Sequence, residues 1–314
     1  MIRLDETPLS PQSKAVSENF PIRLGAVADA TEATLERILS ADSRSGEIDR
    51  PARLLAAMRH AALGGGKRLR PFLVIESARL FDANGTFVME AAAALECVHC
   101  YSLVHDDLPA MDDDDLRRGR PTVHKAFDEA TAILAGDALL TLAFDILANL
   151  DTGPEIRIAL IRGLATAAGI GGMAGGQMLD MEAEGSLPNE ALVLRLQSMK
   201  TGALIRYACE AGAILGGAAE TERQRLALFG EHIGLAFQLA DDLIDATGTA
   251  ASVGKATAKD AEKGKATLVA LHGIEQTRQR LDKTVAEAAQ LLANFGARGE
   301  PLIEAARFIA SRQN

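Results

Sequence analysis

The spacing of apolar residues predicts helices along nearly the whole chain. Ala and Leu recur at intervals of three and four residues and β-branched residues are sparse, which favours helix over strand. We find no alternating stretch flanked by the Asn-Gly or Asp-Gly turns of a hairpin. We therefore predict an all-α fold of about eight to ten helices, over residues 23–39, a segment ending at Gly64, 71–81, 87–107, 124–149, 155–182, 190–217, 221–246, 265–294 and 301–311.

The same pattern predicts one domain with a short arm. Residues 1–20 are polar and are interpreted as an N-terminal arm, and no Ser/Pro-rich linker divides residues 21–314. The arm lacks the apolar core of a signal peptide. The uncharged stretch 164–179 contains five Gly and is too short to cross a bilayer. We expect a cytoplasmic protein without a membrane span.

Composition narrows the function. The 314 residues include 33 Lys and Arg against 43 Asp and Glu, a net charge of −10, which argues against a nucleic-acid-binding protein. Three cysteines, an odd number, favour a reducing compartment. Because no second cysteine pair accompanies Cys97 and Cys100, we interpret this C-x-x-C as packed thiols rather than a metal or redox site.

An acidic stripe interrupts the helix predicted over 221–246. Its members are spaced i, i+3, i+4 and i+7, whereas the rest of the helix is apolar on nearly every side. Such a helix is normally buried, and a solvated face would include Lys or Arg for pairing. The pattern predicts that this stripe faces an internal cavity, and it consists of Gln238, Asp241, Asp242 and Asp245.

A second acidic cluster begins where another predicted helix ends. His99, Ser102 and Asp106 share a face of that helix, and six Asp occur in ten positions from Asp106 onward. Pro109 should end the helix and let the chain return Asp112 towards Asp106. Carboxylates this dense can remain ionised together by sharing a divalent cation, and oxygen-only ligands indicate Mg²⁺ rather than Zn²⁺. Nine Asp in the two clusters account for most of the net charge.

Basic residues follow each acidic cluster and a glycine-rich turn. Arg and Lys bind phosphate oxygens, so carboxylates, Mg²⁺ and these cations together predict a diphosphate substrate. The glycine-rich segment is not a P-loop, because Lys67 is followed by Arg rather than Ser or Thr. The cations concerned are Lys67, Arg68, Arg70, Arg117, Arg118, Lys200, Lys255 and Lys265.

These motifs resemble the trans-polyprenyl diphosphate synthases, and most closely the bacterial short-chain farnesyl diphosphate synthases. The resemblance spans about residues 25–310 and rests on Gly64–Pro71, His105–Asp112 with its Arg-Arg-Gly, Lys200–Gly202 and Phe237–Asp245. It implies an isoprenoid-synthase helical bundle around a central active-site cavity, a homodimer and three Mg²⁺ per site. The implied reaction condenses isopentenyl diphosphate with dimethylallyl or geranyl diphosphate to give (2E,6E)-farnesyl diphosphate and diphosphate.

The resemblance also implies roles for individual residues. Asp106 and Asp112 would bind two metal ions and Asp241 a third, with Asp107, Asp242 and Asp245 as nearby or water-mediated partners. Arg117, Lys200, Lys255 and Lys265 would hold the allylic diphosphate. Isopentenyl diphosphate would bind Lys67, Arg70, His99 and Arg118. Carbonyl oxygens of Lys200 and Thr201 and the side-chain oxygen of Gln238 would stabilise the allylic cation, and Tyr101 and Ser102 would limit product length. Leu268 stands where the family often has Tyr, which makes Lys265 the less secure of these assignments.

Four alternatives remain open at this point. A geranylgeranyl or geranyl diphosphate synthase would share all the motifs. A terpene cyclase typically has an Asn/Ser/Glu triad in place of the second Asp cluster, and it lacks the Lys67, Arg70 and His99 pocket. An HD-type metal phosphohydrolase could use His105 and Asp106 but leaves the second Asp cluster unexplained. A non-catalytic partner subunit would not need both Asp clusters.

Overall fold

A computed structural model describes residues 19–183, 189–247 and 267–312 of the chain. Within these residues the fold is helical, with one two-stranded hairpin of two residues per strand. The α-helices are α1 (Asn19–Ile38), α2 (Ala52–Ala62), α3 (Leu69–Arg79), α4 (Thr86–Asp106), α5 (Val123–Ala126), α6 (Glu129–Ala148), α7 (Pro154–Ala168), α8 (Met173–Ala183), α9 (Glu190–Gln197), α10 (Ala203–Leu215), α11 (Glu220–Thr247), α12 (Leu268–Leu291) and α13 (Glu300–Ser311). A π-helix (Ser198–Gly202) joins α9 to α10, a 3₁₀ segment (Ala293–Arg298) precedes α13, and β1 (Leu116–Arg117) pairs with β2 (Arg120–Pro121).

The predicted all-α class is confirmed, but several predicted helices are divided. The stretch 155–182 breaks into α7 and α8 because glycines at 169, 171 and 172 interrupt it. The stretch 124–149 breaks before α6, where the Asp128 carboxylate caps the new helix by accepting the Thr131 amide. The hairpin was not predicted, since each strand is too short to show alternation.

Two central helices organise the bundle. α10 packs against α3, α7 and α11, and α4 packs against α3 and α6. In α4 every residue from Ala91 to Val98 is buried, so this part of the helix is enclosed on all sides. At one end of the bundle Phe20 lies between Phe72 and Phe308, with ring centroids 5.4 and 5.3 Å away. The last residues of the proposed N-terminal arm therefore belong to α1 and the core, while residues 1–18 lie outside the described part of the chain.

Three helical stretches are long and apolar enough to cross a membrane by length and composition alone. They are Thr86–Asp106, Glu129–Ala148 and Pro154–Ala183, and the last is interrupted between α7 and α8. In the fold these helices pack against their neighbours, which accounts for much of their apolar character. The absence of a membrane span stays a prediction.

The three cysteines are packed thiols, as the sequence indicated. Cys97, Cys100 and Cys209 are free and buried. Burial raises the pKa of the Cys100 thiol to about 12 and also raises the pKa values of the other two thiols. None of the three is a reactive thiolate at neutral pH.

Candidate active site

The first acidic cluster forms where α4 ends. Asp106 is the last residue of the helix, and the chain turns at Pro109 so that the Asp112 amide donates to the Asp106 carbonyl oxygen at 2.8 Å. The predicted return of Asp112 to Asp106 is therefore confirmed. A backbone hydrogen bond fixes the spacing of these two residues.

Asp106 lies in a partly dehydrated environment. Burial raises its pKa to about 6, and Asp112 and Asp107 contribute to the rise, whereas Lys200 and Arg117 oppose it. Two adjacent carboxylates whose charge the nearby cations leave undercompensated are suited to a divalent cation.

Asp107 and Arg117 form a buried ion pair beside this cluster. Arg117 Nε lies 2.8 and 3.0 Å from the two Asp107 carboxylate oxygens, and its Nη2 lies 2.6 Å from Oδ1. Asp107 is only 3% exposed. The immediate role of this carboxylate is to hold Arg117 on the short hairpin, and its role as a metal ligand stays a prediction.

Arg118, in the turn of the same hairpin, meets the glycine-rich segment. Its guanidinium donates to the Gly65 carbonyl oxygen. Gly66 has a φ of +122°, and a Cβ there would lie 2.6 Å from Arg118 Nη1. Only glycine permits both this backbone conformation and this close approach.

The three cations after the glycines have different environments. Arg68 is 4% exposed and binds Glu96 at 2.6 Å, together with Glu32, so it is part of the core rather than a substrate ligand. Lys67 is exposed and its Nζ lies 5.4 Å above the Phe308 ring. Arg70 Nε is buried without a hydrogen-bond partner among the described residues, which leaves a donor for an anion.

His99 lies in the same positive region. Burial lowers its pKa well below the usual value, and Arg70, Arg118 and Arg117 lower it further. At neutral pH the imidazole is therefore uncharged. Ser102, one turn on, donates to the His99 carbonyl oxygen at 2.9 Å.

The π-helix positions Lys200 beside Asp106. Lys200 Nζ binds the Asp180 carboxylate of α8 at 2.6 Å, and a Cβ at Gly176 would overlap the Lys200 backbone, so this glycine lets α8 approach closely. Thr201 is half-buried in the same π-helix. Sequence reasoning missed Asp180; the Gly-Gly pair one turn before it was the available signal of a close contact.

The second acidic stripe does not act as one unit. Asp242 is 8% exposed and accepts the Leu268 amide at 2.9 Å and Gln197 Nε2 at 3.3 Å, so it joins α11 to the start of α12. Gln238 and Asp241 are half-buried and Asp245 is exposed. The prediction that the whole stripe faces a cavity is thus wrong for Asp242, whose carboxylate serves as a structural acceptor.

Asp241 has a partner that sequence reasoning missed. Arg312 Nη2 lies 2.7 Å from Asp241 Oδ1, and its guanidinium stacks 3.9 Å from the centre of the Phe237 ring. A single Arg at the polar end of α13 carries no sequence signal for this contact. Lys255 and Lys265, predicted to follow the second cluster, lie outside the described residues.

Tyr101 lies on α4 one and a half turns before Asp106. Its ring makes an edge contact with the His105 ring, with centroids 5.8 Å apart. Burial raises the pKa of its phenol, and the Asp106 charge adds to the rise.

Comparison with known proteins gives a consistent result. Residues 51–295 match the polyprenyl synthetase family. The chain belongs to this family. It is 50% identical over 249 residues to farnesyl diphosphate synthase of Escherichia coli (strain K12), covering 76% of this chain and 81% of the relative.

Other polyprenyl synthetases show the same relationship. The chain is 41% identical over 286 residues to geranylgeranyl pyrophosphate synthase 11, chloroplastic, of Arabidopsis thaliana, covering 89% of this chain and 80% of the relative. The apo crystal structure of an FPP/GFPP synthase from Zymomonas mobilis superposes with a TM-score of 0.83 at 43% identity, covering 93% and 99% of the two chains. Like these relatives, the chain is a prenyltransferase of isoprenoid biosynthesis.

Membership of the polyprenyl synthetase family rules out the HD-type phosphohydrolase alternative. In the structure, the histidine of that alternative contacts a neighbouring helix. His105 Nε2 lies 3.1 Å from the Ile133 carbonyl oxygen of α6, and its ring occupies the space that a Cβ at Gly136 would need. His105 therefore packs against α6 through this ring nitrogen.

No group of three His, Cys, Asp or Glu side chains within the described residues is close enough to hold a metal ion on its own. The donors available at Asp106, Asp112 and Asp241 are carboxylate oxygens, which suit Mg²⁺. A cavity of about 640 Å³ lies behind the π-helix, between α7, α10 and α11, and contains none of these Asp residues. The charged side chains, and not that cavity, therefore mark the candidate active site.

Proposed function

We propose that this prenyltransferase condenses isopentenyl diphosphate with dimethylallyl and then geranyl diphosphate, giving (2E,6E)-farnesyl diphosphate and diphosphate. The observation that carries the proposal is the grouping of Asp106 and Asp112 with Lys200 and Arg117, beside a second positive region around Arg70. Two adjoining positive regions suit two different diphosphates. The identity to a farnesyl diphosphate synthase supports the product.

Members of this family generally depend on Mg²⁺, and the oxygen donors fit that ion. We propose three ions per site, held by Asp106 at the end of α4, Asp112 in the loop after it and Asp241 on α11, with Asp107 and Asp245 nearby. Mg²⁺ supplies the Lewis-acid charge that stabilises diphosphate as a leaving group. The remaining ligands would be oxygens of the allylic diphosphate.

The protein's own cations complete the two diphosphate sites. Lys200 and Arg117, with Lys255 and Lys265, would bind the allylic diphosphate. Arg70 and the residues around it would bind isopentenyl diphosphate through their own positive charge, without metal. An uncharged His99 can donate one hydrogen bond there; the other members are Lys67 and Arg118.

Stabilisation of the allylic cation is assigned to oxygen dipoles. π-helices are frequent at functional sites because their hydrogen bonding departs from the α-helical pattern. The carbonyl oxygens of Lys200 and Thr201 belong to such a segment, and the Gln238 side-chain oxygen is the third candidate. Fixed dipoles directed at developing charge need no reorganisation during the reaction.

Product length is assigned to Tyr101, with Ser102 beside it on α4. A bulky ring one and a half turns before Asp106 would stop chain growth at C15. Replacing it in Tyr101→Ala should shift products from C15 to C20 or longer. Phe144→Ala, in a half-buried residue of α6, is the matched control for removing an aromatic ring, and an unchanged C15 product with Tyr101→Ala would refute the assignment.

The activity itself is tested with isopentenyl diphosphate and either dimethylallyl or geranyl diphosphate, with and without Mg²⁺, followed by chain-length analysis. We expect a C15 product that requires Mg²⁺. A C10 or C20 main product would favour the geranyl or geranylgeranyl alternatives, and no product in any combination would overturn the proposal.

We also propose a cytoplasmic homodimer. Ile133 and Leu134 of α6 and Ile158 of α7 are large apolar side chains between 45% and 65% exposed, and a second copy could cover them. Sedimentation of wild type against Leu134→Lys tests this, since a charge on the covered face should dissociate the dimer.

A further inference from the structure

The hairpin that carries Arg117 and Arg118 is too short to hold its own position. β1 and β2 have two residues each, joined through the turn at Arg118 and Gly119. An isolated two-stranded ribbon is marginal even when longer. The placement of these two arginines therefore depends on the surfaces against which the hairpin packs.

Arg117 and Arg118 have different supports. Arg117 is held by Asp107 through contacts of 2.6 to 3.0 Å. Within the described part of the chain the Arg118 guanidinium donates to the Gly65 carbonyl oxygen, and no carboxylate there holds it as Asp107 holds Arg117, so its placement depends more on the rest of the hairpin.

The second strand is held by a residue of α2. His60 Nε2 lies 2.8 Å from the Pro121 carbonyl oxygen, and His60 Nδ1 lies 3.2 Å from Arg120 Nη2. Arg120 Nη1 also approaches the Leu63 carbonyl oxygen at 3.5 Å. The imidazole also makes an edge-type contact with the Phe127 ring, with centroids 5.9 Å apart.

The chemistry of the partners fixes the direction of both bonds. A carbonyl only accepts, so His60 Nε2 donates its proton to Pro121. A guanidinium only donates, so His60 Nδ1 accepts from Arg120. The His60 imidazole therefore binds two consecutive residues of β2, Arg120 and Pro121. We call the contact between His60 and Arg120 the His60–Arg120 latch.

We propose that the His60–Arg120 latch positions the hairpin against the glycine-rich segment and thereby preorganises Arg118 for isopentenyl diphosphate. His60 and Lys67 flank the Gly64–Gly66 turn that Arg118 contacts, so the latch joins the hairpin to the segment leading to Lys67 and Arg70. This inference rests on the proposed function of Arg118. His60 and Arg120 act here as positioning residues.

Steady-state kinetics of His60→Ala, Arg120→Ala and the double variant test the latch. Loss of an exposed hydrogen bond should raise the KM for isopentenyl diphosphate about three- to tenfold, with kcat and the KM for geranyl diphosphate within about twofold of wild type. The double variant should raise this KM by less than the product of the two single effects, because the two substitutions share the His60–Arg120 contact. The control is His232→Ala, which removes a histidine of α11 that lies near Glu287 of α12. It should leave kcat and both KM values unchanged.

Conservative variants separate positioning from folding. His60→Gln keeps an amide donor and a carbonyl acceptor, so its KM for isopentenyl diphosphate should lie between those of His60→Ala and wild type. The melting temperatures of all these variants should stay close to that of wild type. An unchanged KM in both single variants, or KM effects that multiply in the double variant, would overturn the latch. A wild-type enzyme that forms no prenyl product would instead overturn the proposed function, and with it the role given to Arg118.

Discussion

Replacing Asp106 by Asn should make the substrate-free protein more stable while abolishing its activity. The pKa of Asp106 is about 6 in the folded chain against an ordinary value of 3.8, chiefly because burial disfavours the charged form. Between these two pH values the folded state holds the proton that the unfolded state has lost. Wild-type stability therefore falls as pH rises from about 4 to about 6, and the full loss persists above that range.

The magnitude follows from the same shift. A rise of about 2 in pKa corresponds to about 3 kcal/mol of lost stability. Solvent still reaches part of the half-buried side chain and reduces this effect. We therefore expect Asp106→Asn to raise the free energy of unfolding by about 1–2 kcal/mol above pH 7. Below about pH 4 both states of wild type are protonated and the gain should vanish. Turnover should fall by about a hundredfold or more, because Asp106 is one of the proposed metal ligands.

Urea unfolding in the presence of a chelator and without diphosphate, at about pH 4.5, 5.5 and 7.5, measures the effect. Asp137→Asn, at an exposed position of α6, is the matched control and should show no pH-dependent gain. A gain that is equal at all pH values, or a loss of stability at pH 7.5, would refute the account of Asp106 as a dehydrated carboxylate.

Three further substitutions test the supports of the site. Arg68→Ala should lower the free energy of unfolding, measured with urea, by about 3–5 kcal/mol, because it leaves Glu96 buried without its cation. A decrease below about 1 kcal/mol would contradict a structural role for Arg68. Gly176→Ala should lower both stability and kcat, since its Cβ would overlap the Lys200 backbone, and a wild-type melting temperature would show that α8 can move away. Asp180→Asn should reduce kcat/KM for the allylic diphosphate about tenfold while leaving the KM for isopentenyl diphosphate unchanged, because Lys200 loses its ion-pair partner; equal effects on both substrates would count against this role.

Features governed by local sequence were predictable. Apolar periodicity revealed the helices, and Pro109 with the Asp run predicted the return of Asp112 to Asp106. These depend on residues within a few positions of one another, where helix geometry and proline sterics act.

Features governed by distant contacts were not predictable. Arg68 looked like Lys67 and Arg70 in the sequence, and only the packing of α1 and α4 shows that Glu32 and Glu96 take it into the core. Asp242 likewise differs from Asp241 only because the start of α12 lies against it. The contacts of Asp180 and Arg312 join residues 20 and 71 positions apart.

α4 also has a consequence for how product length could change during evolution. Tyr101 and Asp106 lie on one uninterrupted helix, about 7.5 Å apart along its axis at 1.5 Å per residue. Under the role proposed for Tyr101, a bulky side chain placed one turn towards the N-terminus would move the length limit about 5.4 Å further from Asp106 without moving a carboxylate. Under that proposal, substitutions along α4 would change product length in steps of one helical turn while Asp106 keeps its place.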